Sequence, residues 1–221
     1  NMAENNHILE VKNLRVSYHT YAGEVKAVRG VSFELETGKA LAIVGESGCG
    51  KSVTAKSIMG LIKKPQGEIK EGSEILYNNV NILNYNKKQW QAYKGGECAI
   101  IFQDALAALN PTMRVGKQIM ENLMAHKHMK KDEAKKEAVE MLRRVGIPEP
   151  EKRVKQYPHQ FSGGMRQRVM IAIAFACDPK LLICDEPTTA LDVTIQSQIL
   201  DIIKELQKKH NTSVIMITHD L

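Results

Sequence analysis

The chain has 221 residues, 43% hydrophobic and 25% charged, enough to bury a core in one large domain or in one domain with an insert. Its formal net charge of +6 raises nucleic acid or an anionic membrane surface as partners. The lysines gather at Lys127, Lys130, Lys131, Lys135 and Lys136, interleave with acids from Asp132 onward and lack an aromatic stacking platform, so a solvated helix face is the better reading and no nucleic-acid partner is expected. No apolar run approaches the roughly 18 residues of a membrane span, and no signal peptide opens the chain. Four cysteines without paired or metal-ligand spacing argue against a disulfide framework and for the cytosol, with Cys177 and Cys184 as reduced core thiols. Asn1 ahead of Met2 reads as a cloning remnant.

In chain order, strands are predicted at 8–16 (ILEVKNLRV) and 25–35 (VKAVRGVSFEL). ALAIVG at 40–45 is a nearly continuous apolar run of the kind that suits a buried parallel strand, and a helical run follows residue 51. CAIIF at 98–102 is the next strand. Residues 114–145 show only helical periodicity, with Ala134, Ala138, Met141, Leu142 and Val145 spaced i, i+4, i+7, i+8 and i+11. A loop with three prolines, GIPEPEKRVKQYP, leads to FSGGMRQR at 161–168 and a further helical run. LLICD at 181–185 and SVIMIT at 213–218 are again continuous apolar strands. Between them a helix is predicted at 192–209, with Ile195, Ile199, Ile202, Ile203 and Leu206 on one face. The pattern predicts an α/β core formed by residues 1–104 and 178–221, with an all-helical insert of about 105–177.

GESGCGKS at 45–52 fits G-x-x-x-x-G-K-[ST] at every fixed position, after a strand and before a helix. Backbone amides across Gly45, Glu46, Ser47, Gly48, Cys49, Gly50 and the following Val53 are placed to close around phosphate oxygens. Lys51 reaches the terminal phosphates of a bound nucleotide, and the Ser52 hydroxyl ligates Mg²⁺. LLICDEP delivers two carboxylates to the C-terminal end of a strand, the edge at which open α/β sheets bind ligands. Asp185 can hold the Mg²⁺ shell and Glu186 can orient and deprotonate a water. FSGGM is a second anion-site design, a hydroxyl and two glycines at a helix start.

FSGGM resembles the LSGGQ signature of ATP-binding cassette (ABC) ATPases and lies about twenty residues before the Asp-Glu pair, as that family requires. Phe161 and Met165 depart from the commonest Leu and Gln. The remaining family residues occur in order. Tyr18 matches the aromatic that stacks on adenine, with Tyr21 as a competing stacker. Gln103 matches the Q-loop glutamine, a Mg²⁺ ligand and catalytic residue. Asp192 in TTALD matches the D-loop and is also a helix N-cap. His219 matches the switch histidine. The resemblance runs from about residue 8 to 221. It implies a P-loop NTPase (RecA-like) core, an N-terminal antiparallel β portion and an inserted helical subdomain.

The resemblance also implies ATP and Mg²⁺ as ligands and a head-to-tail pair with a second ABC ATPase subunit, homo- or heterodimeric. Ser162, Gly163 and Gly164 then hold the γ-phosphate of the partner's ATP. Longer stretches, HTYAGEVKAVRGVSFEL and HQFSGGMRQRVMIAIAFACDPKLLICDEPTTALDVTIQSQIL among them, look like the ATPase subunits of bacterial oligopeptide, dipeptide and nickel importers. That implies a peripheral subunit on the cytoplasmic face of the cell membrane. Its partners are separate membrane permeases, docked on the helical insert and near Gln103, and, indirectly, an extracellular substrate-binding protein. An ABC-type ATPase of DNA repair or translation is the rival, without its coiled coil or tandem cassettes in this chain. Family members continue past the switch histidine, so a C-terminally truncated fragment is expected.

Overall fold

The computed structural model describes residues 6–44, 50–102, 108–185 and 193–218. In chain order the elements are β1 (His7–Thr20), β2 (Gly23–Glu36), β3 (Ala40–Val44), α1 (Lys51–Ile58), β4 (Gly67–Ile69), β5 (Glu74–Tyr77), β6 (Val80–Asn81), α2 (Lys87–Tyr93), β7 (Cys98–Ile101), α3 (Val115–His126), α4 (Lys131–Arg144), α5 (Pro150–Arg153), α6 (Gly163–Phe175), β8 (Leu181–Asp185), α7 (Val193–His210) and β9 (Ser213–Thr218). They fall into two compact units, one of residues 1–94 with 213–221, the other of residues 95–212.

The first unit is built on an antiparallel sheet in the order β2-β1-β5-β6, with β4 also paired to β1. Leu9, Val11, Leu14 and Val16 of β1 are fully buried. The two-residue alternation slips at Lys12 and Asn13, both exposed. Asn13 takes φ 50° there and Gly30 opposite takes φ 107°. This bulge absorbs one residue, so Leu14 and Val16 return to the core face. A parallel pair, β3 with β9, runs in register from Ala40↔Val214 to Val44↔Thr218.

α1 follows β3 and is anchored at its C-terminal end. Gly60, at φ 69°, ends it, with Leu61 N–H donating to the Lys56 carbonyl at 2.8 Å and Gly60 N–H to Ser57 at 3.2 Å. The Tyr93 hydroxyl donates to the Ile58 carbonyl at 2.8 Å. Tyr93 belongs to an edge-to-face cluster with Tyr77, Tyr85 and Trp90 at centroid separations of 5.2 to 5.8 Å. A Cβ on Gly60 would stand 2.6 Å from the Trp90 ring, so the ring packs directly on backbone. α2 brings Trp90 and Tyr93 into place from a capping box of Asn86 and Gln89.

Among the described residues the second unit has the parallel pair β7 and β8 and the α-helices α3 to α7. The stripe Ala134, Ala138, Met141, Leu142 and Val145 is buried throughout. On α7, Ile199, Ile203 and Leu206 are buried and Ile195 and Ile202 half-buried. Lys127, Lys130, Lys131, Lys135 and Lys136 are all exposed; Lys127 pairs with Asp178 at 2.6 Å. Cys98, Cys177 and Cys184 are buried free thiols, and burial pushes Cys177 up to about 11 and Cys184 up to about 12. Among the described residues no helix is long and apolar enough to cross a membrane.

One expectation needs correction. ALAIVG reads as a strand buried on both faces, and β8 is that strand, but β3 is not: Ala40, Ala42 and Val44 are exposed, Val44 at 42%. Among the described residues β3 pairs with β9 alone, and its side chains alternate between exposed and half-buried. Sequence reading also passes over β4, β5, β6 and α2, which are too short to carry a period.

The start of α3 is stitched to the stretch after α5. Val115 N–H donates to Gln156 at 2.8 Å and Gly116 N–H to Val154 at 2.9 Å. A Cβ at Gly116 would lie 2.4 Å from Val154 Cγ2 and 2.6 Å from its carbonyl oxygen. Alanine gains about 1 kcal/mol of helix propensity over glycine. Contact with a bonded carbonyl outweighs it, since overpacking costs about 1–3 kcal/mol. Gly116→Ala is therefore expected to destabilise the protein, read as a lower urea midpoint at unchanged slope.

Candidate functional site

Gly45, Glu46, Ser47, Gly48, Cys49, Gln103, Glu186, Asp192 and His219 lie outside the described residues. The other expected site residues divide between the two units.

In the first unit Gly50, the last glycine of the motif, is the N-cap of α1, with φ 79°. A Cβ there would lie 2.3 Å from the Ala27 carbonyl oxygen and 3.3 Å from Val28 Cγ2. Glycine is required twice over, for its left-handed backbone and for its closeness to β2. The first intrahelical bond of α1 is Thr54 N–H to the Gly50 carbonyl at 2.9 Å, reinforced by the Thr54 hydroxyl on the same oxygen at 2.8 Å. The amides of residues 51–53 precede that bond and so have no acceptor within the helix. Lys51 is 8% exposed, and its Nζ donates to the Thr218 carbonyl at 3.3 Å, at the C-terminal end of β9. Ser52 is exposed and Val53 half-buried. The result is a helix N-terminus with an ammonium and a hydroxyl in its first turn, an arrangement suited to polyphosphate.

Tyr18 pairs with Val25 and Gly67 on β1, on the face shared with Val16 and Val28. Gly50 abuts Val28 on that same face, so Tyr18 and the end of the glycine-rich turn address one side of the sheet. Tyr18 is half-buried, and a Cβ at Gly67 would meet its Cε1 at 3.3 Å. Tyr21 is fully exposed at the hairpin tip, leaving Tyr18 as the better-placed ring. On the opposite face, Lys70 Nζ joins Glu24 at 2.8 Å and Glu68 at 2.9 Å, and His19 Nε2 meets Glu68 at 2.8 Å. Hydrogen bonding from Lys70, then Ser17, holds Glu24 near 2, and bonding from His19 and Lys70 lowers Glu68. These exposed links tie β1, β2 and β4 together behind Tyr18.

In the second unit Asp185 ends β8, 9% exposed, one residue beyond the Ile101↔Cys184 pair. The signature turn opens α6. Ser162 is its N-cap, with its hydroxyl accepting from Met165 N–H at 3.2 Å. Ser162 and Gly163 are exposed, and Gly164 is half-buried against Ile195, whose Cγ2 would stand 3.1 Å from an added Cβ. Phe161, 3% exposed, anchors the turn, and its carbonyl accepts from Arg166 Nη1 at 2.9 Å. Arg166, which sequence reading passes over, sits one turn into α6 in RQR, where nothing but the fold marks it out.

Comparison with known proteins agrees with these motifs. Residues 28–189 match the ABC transporter family. The oligopeptide transport ATP-binding protein OppD of Bacillus subtilis is 60% identical over 214 residues, covering 97% of this chain and 60% of that protein. The dipeptide transport ATP-binding protein DppD of Lactococcus lactis subsp. cremoris is 58% identical over 215 residues, covering 97% and 61%. The chain thus spans about 60% of the length of these curated relatives. Among solved structures, the ATP-binding cassette MJ0796, a dimer in a post-hydrolysis state bound to ADP and Pi, superposes with a TM-score of 0.83 at 27% identity, covering 96% of this chain and 88% of that one. The fold is that of ABC ATPase cassettes, and the chain belongs to the ABC transporter family.

Proposed function

We propose that this chain is the ATP-binding and hydrolysing part of an importer subunit that energises uptake of peptides, or of nickel, through separate membrane permeases. The observation that carries the reading is identity of 58–60% to oligopeptide and dipeptide transport ATP-binding proteins over 97% of the chain. The N-terminus of α1, capped by Gly50 with Lys51 and Ser52 in its first turn, supports it. The subunit works at the cytoplasmic face of the membrane, with an extracellular binding protein delivering substrate. Residues 1–104 and 178–221 form the nucleotide-binding core, and residues 105–177 the helical signature subdomain.

Each residue has a physical task. The amides at the start of α1, from Gly50 through Val53, and those of residues 45–49 bind phosphate oxygens, and Lys51 supplies the fixed cation. Tyr18 stacks on adenine. Ser52, Asp185 and Gln103 are oxygen donors, the hard ligand type that suits Mg²⁺. Mg²⁺, when bound, neutralises charge on the transferring phosphoryl group. Glu186 takes a proton from the attacking water, and His219 and Gln103 orient it. Ser162, Gly163 and Gly164 receive the γ-phosphate of a second ATPase subunit's ATP, and Asp192 lies at that interface. Pairing then depends on the γ-phosphate, and hydrolysis loosens it. The dimeric state of MJ0796 with ADP and Pi supports this reading.

A groove of about 630 Å³ in the second unit supports permease docking. Met120 and Met124 line it together with Arg114, Lys117, Lys131 and Lys135. Methionines adapt to an incoming apolar helix face.

Lys51→Ala removes the one ammonium of the motif. A hydrogen bond to a charged group contributes about 1.5–3 kcal/mol. Affinity for ATP·Mg²⁺ should fall at least about tenfold in a nucleotide titration; unchanged affinity contradicts the phosphate assignment. Glu186→Gln keeps side-chain shape and removes the base. Turnover should fall by about 10²–10⁴ while ATP stays bound, so the ATP-bound pair accumulates on a sizing column. Hydrolysis at the parent rate would show that Glu186 is not the base.

A further inference from the structure

The signature turn is gripped from beneath by a residue that lies nine positions upstream of Ser162. Arg153 is the last residue of α5, and its guanidinium carbon stands 5.6 Å from the centre of the Phe161 ring. Its Nη1 donates to Gln156 Oε1 at 3.0 Å and approaches the Gln160 carbonyl at 3.5 Å. Its Nε is buried without a hydrogen-bond partner, so the polar contacts of the side chain are those of Nη1. Gln160 Oε1 in turn accepts from Tyr157 N–H at 2.9 Å.

Two consecutive peptide planes are therefore engaged just ahead of Ser162. Arg153 meets the carbonyl of Gln160, and Arg166 meets the carbonyl of Phe161 at 2.9 Å. In a trans peptide the C=O and the following N–H point in opposite directions. Holding the Phe161 oxygen toward Arg166 turns the Ser162 amide the other way. Gripping the Phe161 ring stops the segment from rolling and carrying the turn with it. The segment itself is fixed by the bonds of Val115 and Gly116 to Gln156 and Val154.

We infer that Arg153 is a positioning residue for the phosphate-facing signature turn Ser162–Gly164, acting through the Phe161 ring. The family's commonest residue at 161 is leucine, and a guanidinium gains nothing special from a leucine, whereas over an aromatic face it gains a cation–π contact and stacks flat. Lysine at 153 keeps the charge and loses the plane. The role rests on the proposal that the turn receives a γ-phosphate, and the test separates the two.

In the transporter complex carrying the full-length protein, Arg153→Lys should lower turnover at saturating ATP by about three- to tenfold. The ATP affinity and thermal midpoint of the isolated full-length subunit should stay at the parent values, which a merely structural role would not leave untouched. In a Phe161→Leu background, which keeps an apolar anchor, the same substitution should cost less than about twofold. Parent turnover in Arg153→Lys overturns the inference. So does an undiminished loss in the Phe161→Leu background, or a parallel fall in affinity or thermal midpoint. Ser162→Arg is measured alongside. If it stops turnover while Arg153→Lys does not change it, the positioning role alone fails; if Ser162→Arg runs at the parent rate, the signature reading itself fails.

Discussion

The first unit turns on one close approach. At Gly50 the chain comes off its glycine-rich turn so near to β2 that a Cβ would stand 2.3 Å from the Ala27 carbonyl oxygen. That contact sets where α1 begins. The C-terminal end of the helix is then closed by Gly60, the Leu61 bond and the Tyr93 hydroxyl, while its leading amides keep no acceptor within the helix. A helix N-terminus is a fixed source of positive potential, and Lys51 adds a full charge beside it. The aromatic cluster around Trp90 thus anchors the helix whose start we propose as the phosphate site, although none of its rings belongs to the motif.

The second unit holds a helix start of a different kind. α6 carries no cation in its first three residues, and its N-cap hydroxyl accepts a bond from its own helix. What it offers is backbone, two glycines without side chains, together with a buried phenylalanine and two arginines that fix the preceding peptide planes. Such a turn offers backbone donors without a cation of its own in its first three residues, which suits a phosphate already held by another group. An anion site of that design suits a contact made and broken in a cycle better than permanent ligation.

The sequence discloses what is local and misses what is assembled from afar. β1, β2, β8, β9 and the stripe from Ala134 to Val145 are legible because alternation, continuous apolarity and helical spacing follow directly from which faces are buried. The phosphate motif and the Asp185 position are legible because their chemistry needs consecutive residues. The β4–β6 strands and α2 are not, since strands of two to four residues carry no period. The Tyr77, Tyr85, Trp90 and Tyr93 cluster joins side chains whose spacing along the chain has no regularity. β3 misleads because apolar composition reports that a strand can be buried, whereas burial depends on what packs against each of its faces. Arg153 escapes notice because its partner lies eight residues on, across a turn whose shape is set by α3.

The central claim is that this chain seats its own nucleotide on α1 and offers α6 to a different one. Hydrogen exchange of backbone amides tests this directly, followed at the two helix starts in dilute, unpaired full-length protein and again in the assembled transporter. The account predicts that ATP·Mg²⁺ slows exchange at residues 50–53 in both samples and at residues 163–165 only in the assembled one. Slowing at residues 163–165 in the unpaired protein, or none at residues 50–53 in either sample, would contradict it.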